Sequence, residues 1–327
     1  MDLDSLPFPD FSLVHKMENV SLTPIQTSRG CPYNCDFCSV TPMFGRKYRF
    51  RSTDNIIEEL KRHKNKGVFF YDDHFFANKE RTKELLERMI KENIRPEWVA
   101  QARVEISKDD ELLSLMRKSN CFSLCFGFES LDQNKLERYN KRQTVNDIFE
   151  CIRKVHKHKI RVHGMFIADD FTDEKNLDAR AKSIVKSGII DYHKLGIDTL
   201  QNSILVPLPG TPLFDKIVRE NRFIKNPLED YNHWSLFDGG HCVFWPERIS
   251  PESLQEKVQK EYQLFYSKKR ITSLLIKSIF NWHTIPTFYF RQLGHRIIKK
   301  WVSNNTKYLN ELKSISKIRS ISSESGQ

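Results

Sequence analysis

Short apolar runs alternate with amphipathic stretches from Thr23 to about Pro207, a pattern that predicts consecutive parallel βα units. Thr23–Gly30 is the first expected strand. Thr53–Lys66 follows as a helix, with Ile56, Ile57 and Leu60 on one face and Thr53 or Asp54 as its N-cap. The run VFFYDD (Val68–Asp73) predicts a second strand and Lys79–Lys91 a helix. Trp98–Val104 is the third strand, and Asp109–Lys118 a helix opened by an aspartate. Cys121–Glu129 is the fourth strand, Thr144–His158 a strongly periodic helix, and Ile160–Ile167 the fifth strand, with Asp173–Ser187 helical behind it. Asp198–Val206 is the sixth, stopped by Pro207 and Pro209, which cannot continue a central ladder.

Six such units predict an α/β fold, either an open or partial barrel or a doubly wound sheet. Past Pro207 the alternation stops. PLPGTPLFD and HWSLFDGGHCVFWP are turn-rich and aromatic and read as loops or a small extension. From Ser250 the chain becomes helical and basic. Residues 251–327 hold 14 Lys+Arg against 5 Asp+Glu, so nine of the eleven net positive charges lie in this last quarter. The final SSESGQ reads as a disordered end. The expected organisation is a linker-like segment over 1–22, a barrel over 23–210, and an aromatic loop region with a basic helical extension over 211–327.

Composition narrows the class. Of 327 residues 39% are apolar and 29% charged, which excludes a membrane bundle and a disordered polymer alike. The opening MDLDSLPFPDF lacks the charged-then-apolar order of a secretory signal. Ile271–Leu293, the most apolar stretch, contains Lys277, His283, Pro286 and Arg291 and is a poor spanning helix. The expectation is a soluble cytoplasmic protein. Ile271–Val302 also mixes Leu, Ile, Phe, Tyr and Trp with Lys and Arg. Such a stretch either caps the barrel as an amphipathic helix or lies at an anionic membrane interface, peripheral to the inner face.

Three of the seven cysteines fall within eight residues, in SRGCPYNCDFCSV, and clustered thiols without a secretory signal suggest metal or redox chemistry. Cys31, Cys35 and Cys38 supply three soft ligands, suited to iron–sulfur or zinc. A structural zinc site or an ordinary ferredoxin cluster takes four ligands, and no second CxxC or HxxxH pair supplies the fourth, although His74 or His163 could. Three ligands therefore imply one iron left open. Cys121, Cys125, Cys151 and Cys242 share no ligand-like spacing and read as small buried side chains. In barrels of this type chemistry collects at the strands' C-terminal ends. Those ends carry, in order, the three cysteines, Asp72/Asp73/His74, Gln101/Arg103, Glu129, His163/Met165 and Pro207.

The CxxxCxΦC pattern, with Phe37 before Cys38, resembles the signature of radical S-adenosylmethionine enzymes. FFYDDHFFANKER, WVAQARVEI, CFGFESLD, RVHGMFIAD, LVPLPGTPLF and WSLFDGGHCVFWP resemble segments of the cobalamin-associated branch of that superfamily, so the resemblance covers roughly residues 1–265. It implies a partial (β/α)6 TIM-like barrel with one 4Fe–4S cluster on Cys31, Cys35 and Cys38. S-adenosylmethionine would chelate the open iron through its amino and carboxylate groups. Reductive cleavage would then yield a 5′-deoxyadenosyl radical for C–H abstraction, followed by methyl transfer, ring closure or rearrangement of a small or lipid-like substrate.

The same resemblance suggests Asp72 and Asp73 for the methionine amino group, Glu129 for the ribose hydroxyls, and Gln101 for substrate or cofactor. Phe37, Met165 and the backbone around Leu205 and Val206 would lie near the adenine. Bland readings stand beside these: a helix N-terminal charge for one of the two aspartates, a pair with Arg103 for Glu129, and packing for Met165. His163 reads more readily as a hydrogen-bonded structural histidine. Ala168-Asp169-Asp170 stands where many relatives have a Gly-containing turn.

DLDSLPFPDF is similar to the linker that follows a cobalamin-binding domain, and no DxHxxG-type motif precedes Cys31. Cobalamin is therefore expected only through a separate domain or a partner chain, beside a reductant such as flavodoxin or ferredoxin. Two other readings are a non-catalytic cluster-binding module and a tRNA-modifying radical enzyme. The basic RKYRFR (Arg46–Arg51) suits the last, but extra N-terminal cysteines and an RNA-binding module are not visible. A solvated loop is the expectation there, and nucleic acid is disfavoured as a partner.

Overall fold

In the computed structural model the first strand is shorter than the sequence suggests. The model describes residues 2–16, 20–63, 66–170, 174–229, 231–280 and 282–324. The chain forms two compact units, residues 1–128 with 146–163 and residues 129–145 with 164–327.

In the first unit β1 (Leu22–Ile25) ends before Gln26, and Ser28–Arg29 forms a separate short strand, β2. A five-residue helix, α1 (Val40–Phe44), follows the cysteines. Then β3 (Arg49–Phe50) pairs antiparallel with β2, Ser28 opposite Phe50. RKYRFR is thus only partly a solvated loop: Arg46 and Lys47 are exposed, but two of its six residues form a strand. Arg51, which follows, is buried against Glu59, and its guanidinium lies 5.2 Å from the Phe8 ring.

Next come α2 (Thr53–Arg62), β4 (Gly67–Phe70), α3 (Lys79–Lys91), β5 (Trp98–Ala102), α4 (Asp110–Lys118) and β6 (Cys121–Glu129). The N-cap of α2 is Ser52, whose hydroxyl accepts from the Asn55 amide, rather than Thr53 or Asp54. An extended residue one place earlier leaves Thr53 free to start the helix. Asp109 caps α4 as expected, and Val104 belongs to a 3-10 turn after β5.

Strands β1, β4, β5 and β6 pair in parallel in that order, with Val68 opposite Trp98 and Trp98 opposite Cys121. The start of β7 (Arg161–Ala168) lies next to β6, after α5 (Gln133–Arg138) and α6 (Val145–Lys157). Sequential order with helical crossovers is what a partial barrel requires. Helices α2, α3 and α4 bury Ile56, Leu60, Leu85, Leu86, Met89, Leu112, Leu113 and Met116. A cluster of Phe70, Phe75 and Trp98 fills the space between, with the Trp98 indole N–H on Ser119 O at 3.0 Å. In β5 the other face is only half-buried and carries Val99 and Gln101.

In the second unit the end of β7 neighbours β10 (Thr199–Ile204), the last strand of the sheet. The helix expected over Asp173–Ser187 is instead one turn, α7 (Ala179–Lys182), capped by Asp178. A hairpin of β8 (Val185–Lys186) and β9 (Ile189–Ile190) follows, and Asp173 lies outside the described residues. Ser187 and Gly188 both have positive φ (51° and 71°), the two-residue turn that joins twisted strands, so VKSGII folds back on itself. After α8 (Tyr192–Leu195) and β10, the region read as loops contains a helix, α9 (Pro212–Arg219). Its signal was present in the sequence, since Thr211 caps it and Pro212 occupies its first turn.

Helices α10 (Pro251–Phe265), α11 (Lys268–Phe280), α12 (Ile285–Asn304) and α13 (Thr306–Glu324) complete this unit. Residues 322–324, read as disordered, continue α13, and 325–327 lie outside the described residues. Helix α10 is tied to β10 by a buried polar network. Glu261 accepts from Lys257 (2.7 Å), from the Ile190 amide (2.9 Å) and from Asn202 Nδ2 (2.6 Å), with Lys257 and Glu261 both buried. Helix α12 is held by Arg291, which donates to Ile197 O and Asp198 O. Gly294 permits its close approach, because a Cβ there would lie 2.3 Å from the Tyr266 ring.

Candidate functional site

The three cysteines sit on the loop between β2 and α1. All three are half-buried and free of disulfides. Two local bonds shape the loop: the Cys38 amide donates to Cys35 O at 3.1 Å, and the Thr41 hydroxyl to Tyr33 O at 3.1 Å. Gly30 sets the entry. Its φ is +88°, and a Cβ would come within 2.8 Å of Lys47 O, so only glycine passes there without displacing backbone.

The two aspartates after β4 do different work. Asp72 is fully buried and its carboxylate is consumed by the chain. It accepts from the Thr27 amide (2.6 Å), the Thr27 hydroxyl (2.5 Å) and the Ser28 amide (3.0 Å). Burial pushes its pKa up, against these bonds and the Arg81 charge, which pull it down. These contacts explain the break between β1 and β2: the amides turn aside to reach a carboxylate on the neighbouring strand's end. Asp73 is half-buried, and its carboxylate accepts from the Gly30 amide at 3.2 Å, directly before Cys31. Burial raises its pKa too.

Arg103 is the residue that sequence reasoning undervalued. It is buried, pairs with Glu105 at 3.0 Å, and lies 3.7 Å over the Tyr33 ring, within the cysteine loop. Burial opposes its charge, but Glu105, Tyr33 and Cys35 outweigh that and raise its pKa. Burial also pushes the Cys31 thiol up, and Arg103 acts in the opposite sense. Its position at a strand end, two residues after Gln101, was legible; the stack on Tyr33 was not. Gln101 lies on the half-buried face of β5, and Phe37 is half-buried on the loop.

The remaining candidates lie in the second unit. Glu129 is buried with φ +61°, a strained value for a non-glycine residue, and is bonded to Lys141 at 2.7 Å. Met165 lies on the half-buried face of β7, on alternate positions with Ile167. Leu205 is buried, and its amide donates to Ala168 O at 2.8 Å, so that backbone N–H is committed to the ladder. Of the other cysteines, Cys121, Cys151 and Cys242 are buried as expected and Cys125 is half-buried.

Among the described residues no three or more His, Cys, Asp or Glu side chains converge as they would around a single ion. A cubane does not require such convergence, because each thiolate binds a different iron. Three half-buried thiols on one loop, with a buried guanidinium coupled to Cys31 and Cys35, fit an anionic cluster.

Residues 25–182, just under half of the chain, match the model of the radical SAM superfamily. An uncharacterized methyltransferase of Pyrococcus horikoshii is 29% identical over 86% of this chain and 60% of its own length. The bacteriochlorophyllide d C-12(1)-methyltransferase of Chlorobaculum tepidum is 28% identical over 88% of this chain and 62% of its own. The chain thus spans about three fifths of these relatives. Among solved structures, the cobalamin-dependent S-adenosylmethionine radical enzyme OxsB with aqua-cobalamin bound superimposes with a TM-score of 0.55. It is 16% identical, over 86% of this chain and 47% of that one, a likeness of fold.

Proposed function

We propose that this chain is the catalytic barrel of a cobalamin-associated radical SAM enzyme that transfers a methyl group to a carbon atom of a large, mostly apolar small molecule. The observation that carries it is the cysteine loop: three half-buried thiols, fixed through Gly30 to Asp73 and through Thr41 to α1, beside a buried arginine. Cys31, Cys35 and Cys38 would hold a 4Fe–4S cluster, with S-adenosylmethionine at the iron they leave open. When bound, these groups supply one-electron cleavage chemistry that ends in hydrogen abstraction from substrate.

The chain's own residues position and insulate. Asp73 is suited to receive the methionine ammonium, because one of its oxygens is oriented by Gly30 and its burial strengthens a charge-assisted bond. Asp72 serves as a strut. Arg103 holds positive charge beside an anionic centre. Glu129, anchored by Lys141, offers carboxylate oxygens to the ribose hydroxyls. Within the first unit, Phe37 and Gln101 would face cofactor or substrate in this reading. A tetrapyrrole-like substrate follows from the bacteriochlorophyllide relative. Cobalamin would come from a separate domain or partner chain, and electrons from a flavodoxin or ferredoxin in the cytoplasm.

The test is anaerobic reconstitution followed by iron and sulfide analysis, then incubation with reductant and S-adenosylmethionine. The expected result is about four irons per chain and 5′-deoxyadenosine, both lost in the Cys31→Ala/Cys35→Ala/Cys38→Ala variant. Zinc in place of iron, or a loaded chain that leaves S-adenosylmethionine intact, overturns the reading.

A further inference from the structure

Helices α11 and α12 present large apolar side chains that remain exposed among the described residues. On α11, Leu275, Ile276, Ile279 and Phe280 are exposed, Ile279 to 75% and Phe280 to 87%. On α12, Ile285, Tyr289, Leu293 and Ile297 recur every four residues or so along one exposed stripe, with Phe290 beside them. The opposite faces are anchored: Ile271 and Leu274 are buried on α11, and Thr287, Arg291 and Gly294 dock α12 onto Asp198, Ile197 and Tyr266. The exposed stripe is therefore the side the fold leaves over, not a helix in search of its core.

The charge carried by the two helices has one sign. Between Glu261 and Glu311 the sequence contains no Asp or Glu and nine Lys or Arg, at 268, 269, 270, 277, 291, 296, 299, 300 and 307. Arg291 is buried and Arg270 pairs with Asp191, while Lys268, Lys269, Lys277, Arg296, Lys299 and Lys300 are exposed on the two helices that carry the stripe. Among the described residues no helix is long and apolar enough to cross a membrane. An exposed apolar stripe on two helices whose own charged residues are all cations matches the interface of an anionic bilayer, where rings and branched side chains enter the acyl boundary and ammonium groups meet phosphates.

We infer that the α11–α12 face is a peripheral docking surface for anionic phospholipid membranes. It is independent of the cysteine loop, so its success or failure is separate from the catalytic reading. Binding should require both parts, since cations alone give weak, screened attraction and the apolar stripe alone gives no preference for anionic lipid.

The experiment is co-sedimentation of the full chain with vesicles of phosphatidylcholine containing increasing phosphatidylglycerol, at low and high salt. Binding is expected to rise with phosphatidylglycerol and fall with salt. Each lysine near the surface contributes about fivefold, so Lys299→Glu/Lys300→Glu should weaken binding by well over tenfold. Ile279→Ser/Phe280→Ser should weaken it by a similar factor. All four positions are exposed, and unchanged circular dichroism and iron content confirm that the variants fold. Three results overturn the inference: wild-type chain that stays in the supernatant, binding indifferent to phosphatidylglycerol, or variants that bind like wild type. Sedimentation velocity without lipid adds a fourth, a dimer abolished by Ile279→Ser/Phe280→Ser, which would assign the stripe to a second copy of the chain.

Discussion

Replacing Asp72 separates a structural strut from a cofactor ligand. In Asp72→Ala the amides of Thr27 and Ser28 lose their acceptor at positions that are 0% and 1% exposed, where water cannot replace it. Each stranded donor costs about 1–3 kcal/mol. Relief of the buried carboxylate's own desolvation offsets part of this, leaving a net loss of about 3 kcal/mol. Asp72→Asn keeps one oxygen for the two amides and turns its NH2 toward the Thr27 hydroxyl, which can accept, for a loss of about 1 kcal/mol. Urea unfolding of the apo chain, read as midpoint shifts at constant slope, measures both. Because Ser28 leads through Gly30 to Cys31, Asp72→Ala should also bind iron poorly, whereas Asp72→Asn should bind iron and S-adenosylmethionine as wild type does. Asp73→Asn should instead keep stability and iron while raising the Kd for S-adenosylmethionine about tenfold or more. The reasoning is refuted if Asp72→Ala unfolds at the wild-type midpoint, or if Asp72→Asn loses S-adenosylmethionine without losing stability.

Other outcomes follow from the same geometry. Gly30→Ala places a Cβ against Lys47 O at a φ of +88°, so the cysteine loop must shift; iron per chain should fall at least by half, with about 2 kcal/mol of stability lost. Lys257→Met leaves Glu261 charged and buried with two neutral donors. Thermal and urea melts should show a loss of about 3 kcal/mol, partly restored in Lys257→Met/Glu261→Gln. His193 is held at about 4, chiefly by burial and then by Arg291, against an ordinary value near 6.5. The folded chain therefore refuses a proton that the unfolded chain accepts, so stability is present above pH 6.5 and is lost as pH falls toward 4. With His193 only half-buried, the loss is about 1–2 kcal/mol. Urea midpoints between pH 7.5 and pH 5, flatter in His193→Gln than in wild type, would check it.

Periodicity carried information where one face of an element meets a core and one meets solvent. Lys79–Lys91 and Cys121–Glu129 form over the residues the pattern assigned, because their side-chain spacing alone decides which face is buried. It failed where a distant group captured the backbone or a turn overruled propensity. Thr23–Gly30 reads as one strand, yet Asp72, 45 residues away from Thr27, bends it in two. Asp173–Ser187 reads as a helix, but positive φ at Ser187 and Gly188 turns Val185–Ile190 into a hairpin.

The cysteine spacing, the order of the strand-end residues and the single sign of charge between Glu261 and Glu311 are properties of the chain itself, since they depend only on residue type and position. Which aspartate is spent on the loop, which cation faces Glu129, and which side of α11 and α12 remains uncovered were decided in three dimensions. Such choices depend on contacts between residues far apart in sequence, whose energies no local pattern contains.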